Sequence, residues 1–224
     1  MTGRAFLILL AFIGVTLGVN AQGYYCDRQG ATLDYVRKKA RTGETEWRHI
    51  MNIKDVSKVA DGTQITSVST FLKANGKPYY KGDIVEQVVL RENNDVWVDM
   101  EAVSVAYIKG RAGLNATAQA APSILPATMA PGDTLPQVTG KIKVSLLTFT
   151  YRIWDRKVLR RETISVPAGT FDCVVLQERK LESGPGHNRD VLNYTWYCKG
   201  VGFVRHDTYI DGKLDTSEIL NSIK

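Results

Sequence analysis

At 224 residues and 44% hydrophobic composition, the chain can bury one sizeable core and resembles neither a disordered nor a fibrous protein. Its formal charge of +6 favours contact with anionic surfaces. No nucleic-acid-binding motif accompanies that charge, so nucleic acid is not an expected partner.

Residues 1–21 read as a cleaved secretory signal peptide. Arg4 supplies the positive start, Ala5 to Val19 the apolar run, and Val19-Asn20-Ala21 the small-residue cleavage pattern. The run falls short of the roughly 20 residues that span a bilayer. The reading is therefore an exported protein, periplasmic or associated with the outer envelope and not transmembrane once the signal is removed. Residues 22–224 form a single domain.

After the signal, turns recur at short intervals. Segments 32–41, 45–59, 63–73, 81–91 and 95–100 read as strands, separated by Thr42-Gly43, Asp61-Gly62, Asn75-Gly76 and Asn93-Asn94. Asn75-Gly76 is the strongest hairpin signal, because both residues tolerate positive φ. Residues 101–108 fit a helix or a strand, and 110–140, rich in Ala, Pro, Gly and Thr, reads as a long surface excursion. Strands resume at 141–153 and 158–166, with a turn expected at Trp154 to Lys157. Val166-Pro167-Ala168-Gly169-Thr170 then reverses the chain into a strand apolar on both faces. Short strands without intervening amphipathic helices predict a mainly β fold: an antiparallel, strongly curved sheet or partial barrel, with a long irregular or short helical excursion around 101–140.

Three cysteines lie beyond the signal, and an odd count leaves one thiol free or paired outside the chain. A hairpin centred on Pro185-Gly186 brings Cys173 opposite Cys198, the favoured disulfide, with Cys26 as the free thiol. Pairing of Cys26 with either of the others, or three buried thiols, are the alternatives.

Six short motifs in order carry a family likeness: Tyr24-Tyr25-Cys26, Ala74-Asn75-Gly76-Lys77, Val96-Trp97-Val98-Asp99-Met100, Pro131-Gly132-Asp133-Thr134-Leu135, the stretch from Val166 to Cys173, and Trp196-Tyr197-Cys198-Lys199-Gly200-Val201-Gly202. In these the chain resembles the TapB-like proteins, exported bacterial proteins related to the DUF3108 domain. The resemblance implies one exported antiparallel β domain of carrier-like curvature, and it supplies no catalytic residues.

No catalytic or metal motif is present. His49, His187 and His206 lack ligand spacing and read as isolated surface or strand residues, no Gly-x-Ser-x-Gly elbow occurs, and no cofactor is expected. Two readings follow. The first is a non-enzymatic envelope protein that contacts an envelope protein, polymer or lipid surface through Arg37, Lys38, Lys39, Arg160 and Arg161. The alternative is a carrier for a lipophilic ligand, held in a concave face lined by Val96, Val98, Leu146, Val175 and Trp196 under the excursion.

Overall fold

The computed structural model describes residues 22–224, so the expected signal peptide lies outside the described residues. In chain order the elements are β1 (Thr32–Lys39), β2 (Thr45–Val59), β3 (Gly62–Leu72), β4 (Ile84–Arg91), β5 (Val96–Val98), α1 (Met100–Ala112), β6 (Thr117–Ala120) and β7 (Ser123–Leu125). They continue as β8 (Val138–Val144), β9 (Leu147–Val166), β10 (Gly169–Gly184), β11 (His187–Cys198), β12 (Gly202–Ile210) and β13 (Lys213–Ile223).

All thirteen strands form one antiparallel sheet. Strands β1 to β5 are a meander, β8 to β13 are a second, and the two join where β13 pairs with β1. A twisted sheet this wide must curl. The chain shows how far it does so: β6 and β7 occupy opposite ends of the strand order, yet only Ala121-Pro122 separates them. Three Cα steps span at most about 11 Å, so the two sheet edges approach closely without pairing into a closed barrel.

Two devices cross that seam. Arg156 of β9 is buried and bonds Glu178 at 2.6 Å, the Pro136 carbonyl at 3.0 Å and Ser123 Oγ of β7 at 3.2 Å. Helix α1 packs on β4 at one side and on β6 at the other. Asp99 caps it, accepting from the N–H groups of Glu101 and Ala102, and Gly113 ends it in the left-handed conformation at φ 68°. The helical option for 101–108 is thus the one adopted. Small residues open the sheet surface beneath the aromatic rings: a Cβ on Gly140 would collide with the Tyr151 ring, and one on Gly184 with Phe149.

The predicted turn at Trp154 to Lys157 is absent. Strand β9 runs unbroken for 20 residues, and the local signal instead marks an irregularity in which Asp155 takes φ 49° while pairing with β10 shifts register. The β10–β11 register agrees with the hairpin centred on Pro185-Gly186: Val174 faces Tyr197 and Gly184 faces His187. Cys173 and Cys198 occupy the next facing positions, but the expected disulfide is not formed, and all three cysteines are free. The sulfurs are turned toward carbonyls, Cys173 Sγ lying 3.7 Å from Phe171 O and Cys198 Sγ 3.6 Å from Lys199 O.

Inward-facing side chains change character along the strands. At one end Leu33, Ile53, Ile65, Val88 and Leu220, together with Tyr24 and Cys26 of the N-terminal segment, pack into a solid core. At the other end the same faces continue as Arg37 on β1, His49 and Trp47 on β2, Phe71 on β3, Glu86 on β4 and Glu218 on β13. Period-two alternation keeps these residues on the core side of each strand, so they point into the rolled sheet.

Candidate functional site

The polar end forms a half-open cavity of about 560 Å³, walled by the sheet and covered by Met100, Val103, Tyr107 and Arg111 of α1. Its size falls within the range of small-molecule pockets. Aromatic rings form much of the wall. Phe203, Tyr35, His49 and Phe71 stack in succession with centroids 4.2, 5.2 and 4.4 Å apart, and Trp47 meets Phe71 and Tyr79 edge-on. Arg37 lies 4.6 Å over Trp47, and Arg111 lies 5.4 Å over Tyr80 and 5.5 Å over Tyr107.

A hydrogen-bonded chain runs through this wall. Arg37 binds Glu46 at 3.0 Å and Glu218 at 3.5 Å; Glu218 Oε1 meets His49 Nδ1 at 3.1 Å, and His49 Nε2 meets Ser69 Oγ at 2.9 Å. Burial alone would raise the Glu218 carboxyl, but the His49 hydrogen bond and the positive charge of Arg37 hold it below the usual carboxylate range. His206 Nδ1 bonds Thr195 at 2.8 Å, and burial, aided by repulsion from Arg37, brings its pKa down to about 4. Glu86 behaves oppositely: it is half-buried, faces the cavity, and has its carboxyl raised by desolvation against the pull of His49.

Glu218, His49 and Ser69 have the connectivity of a nucleophile relay, an acid orienting an imidazole that receives a hydroxyl. The surroundings do not complete one. Ser69 is 4% exposed, and β3 is paired on both sides there, with Met51 and with Ile84, so the strand's own N–H groups are committed to the sheet and form no oxyanion hole. As built, the relay clamps the His49 ring between Tyr35 and Phe71. Among the described residues no group of three His, Cys, Asp or Glu could hold a metal ion.

None of the five residues expected to line a lipophilic site lines this cavity. Val96 and Val175 are fully buried in the solid core, Val98 packs against it, and Trp196, though facing Val175 as expected, donates its indole N–H to Glu162 at 3.0 Å. Leu146 is 97% exposed in the β8–β9 turn. The expected basic surface is also dispersed. Arg37 points inward and is 7% exposed, Lys38 and Lys39 end β1 on the outside, and Arg160 and Arg161 lie on β9, with four strands between β9 and β1. Arg160 pairs with Glu162, and Arg161 reaches the Met129 carbonyl. The cover over this cavity is α1, not the 110–140 excursion, of which only Arg111 lines it.

Of the residues that define the site, His49 and His206 read from the sequence as isolated surface or strand residues, and Glu86, Asn193 and Glu218 were not singled out. The available signal was parity: Glu86 is two residues from Val88, and Glu218 two from Leu220.

The DUF3108-like family model matches residues 29–220. No curated protein matches the chain. Two solved structures share its fold: a Bacteroides fragilis protein of YmcC-like fold named for its inferred export, and a Parabacteroides distasonis protein named as an inferred lipoprotein. Each has 19% sequence identity and a TM-score of 0.72, covering 91% of this chain and 99% of its own. No described helix is long and apolar enough to cross a membrane.

Proposed function

The chain belongs to the DUF3108-like family, and from that premise we propose that it is an exported binding protein that holds a small polar molecule in the cavity beneath α1. The observation that carries this reading is the combination of a half-open cavity of about 560 Å³ with walls of stacked rings and buried charged groups. A lipophilic ligand fits such a wall poorly, since each buried polar group left without a partner costs free energy. Export rests on the signal-like residues 1–21 and agrees with the names of the two structural relatives. The narrower TapB-like assignment rests on the six short motifs alone.

The test is mass spectrometry of small molecules released by denaturing protein purified without detergent, beside a Val103→Trp variant that fills the space under the helix. A stoichiometric polar compound in the wild type, lost in the variant, is the expected result. A compound retained equally by the variant, or none from repeated preparations, refutes it.

A further inference from the structure

The cavity wall contains charges that are answered within the protein and charges that are not. Glu46 and Glu218 are met by Arg37, Glu182 by Lys180, and Arg189 by Asp215. Glu86 forms no ion pair among the described residues, and its only recorded electrostatic relief is the attraction of His49. Across the cavity on β11, Asn193 is 8% exposed and its Oδ1 has no hydrogen-bond partner. Native interiors rarely leave such acceptors unmatched. On the covering helix, Arg111 lies over two tyrosine rings, forms no ion pair among the described residues, and is exposed at the cavity's rim.

The unmatched groups therefore have an order: an anion and a neutral acceptor on the inner walls, and a cation on the covering helix. We propose, building on the cavity reading above, that the ligand is a short peptide-like zwitterion whose ammonium donates to Glu86, whose amide N–H reaches Asn193 Oδ1, and whose acid group faces Arg111. A neutral sugar would leave both charges unmatched, and a fatty acid would place an apolar chain against Glu86 and Asn193. An ammonium beside Glu86 also favours its ionised form, which burial alone disfavours.

Titration calorimetry on the purified protein with trialanine bearing free ends tests this, alongside its N-acetyl and C-terminal amide forms, maltotriose and laurate. Free trialanine is expected to bind. N-acetylation and Glu86→Gln should each weaken it by about 10- to 100-fold, the usual weight of a charge-assisted hydrogen bond, and the two losses should not add. Amidation and Arg111→Gln should each cost a smaller factor, again without adding, because Arg111 is exposed to solvent screening. Glu86→Gln removes an unpaired charge, so an unchanged or higher melting temperature shows the variant is folded. Failure of trialanine to bind the wild type, or equal binding of the N-acetyl form or to Glu86→Gln, overturns the proposal. Binding of maltotriose that survives Glu86→Gln but is lost in Val103→Trp also overturns it while leaving the cavity reading intact, whereas laurate binding of that kind overturns both.

Discussion

His206 offers the sharpest test of the polar interior. Its ring bonds Thr195 at 2.8 Å and faces Thr208 at 3.5 Å, and burial together with Arg37 lowers its pKa from 6.5 to about 4 against the opposing pull of Glu218 and Asp207. Between those values the unfolded chain binds a proton that the folded protein refuses, so stability rises with pH across this window and is lost on acidification. A shift from 6.5 to about 4 corresponds to about 3 kcal/mol at 1.36 kcal/mol per unit. For a domain of this size that is a fall in Tm of roughly 10 °C between pH 7 and pH 4. His206→Gln keeps an uncharged partner for the two threonines and removes the titration. Glu218, whose carboxyl is lowered, loses its contribution only below its ordinary range, whereas Glu86, whose carboxyl is raised, acts in the opposite sense above 4.5. Both are common to wild type and variant, so the difference between their denaturation curves isolates His206. That difference should grow steadily from pH 6.5 down to 4.5. Parallel curves across this range would show that the imidazole is not buried neutral and would refute the closed cavity wall.

Two further outcomes follow from packing and register. Gly140→Ala drives a Cβ into the Tyr151 ring, which lines the cavity and bonds Ser104 of α1 at 3.3 Å, so it should cost about 1–3 kcal/mol in denaturant unfolding. An unshifted midpoint would mean that the helix does not depend on that ring. Cys198 is the more accessible of the two facing thiols, which favours it as the attacking sulfur. Mild oxidation with diamide should therefore remove two of the three thiols in the wild type and none in Cys198→Ser, counted by maleimide labelling after denaturation; three thiols surviving in the wild type would contradict facing side chains.

The strands were legible because Gly, Asn and Asp punctuate them and because the hairpin register follows from the position of one loop. The Val174–Tyr197 pairing shows how well this works where the loop is short. It failed at Asp155, where a residue able to take positive φ produces an irregularity instead of a reversal. The site was illegible for a different reason. Polar residues alternating with apolar ones read as a solvent face, but in β3 Ser67 and Ser69 share the inward face with Ile65, and in β13 Thr216 and Glu218 share it with Leu220. Only the rolling of the sheet, which is set by pairing between β13 and β1 far apart in the chain, makes that face an interior. Arg37 suffered the same misreading: next to Lys38 and Lys39 it resembles part of a basic surface, yet its parity with Leu33 and Tyr35 turns it inward.

The gradient along the strands supports the proposed reading, in which the polar end serves binding and not folding. The same strands fill the opposite end with Leu33, Ile53, Ile65 and Leu220, so suitable apolar residues are compatible with every element that forms the wall. Buried ion pairs such as Arg37–Glu218 contribute little net stability compared with well-packed apolar side chains of similar volume, because desolvation offsets most of their attraction. Glu86 makes the point most sharply. It sits on β4 between inward-facing Ile84 and Val88, where a leucine or valine would continue the pattern, and among the described residues it forms no ion pair, with only the attraction of His49 to offset its desolvation. Departures from local consistency of this kind concentrate where function requires them. A solid barrel core would need neither a carboxylate at that position nor a capped helix laid across an open seam; a compartment that admits a polar guest needs both.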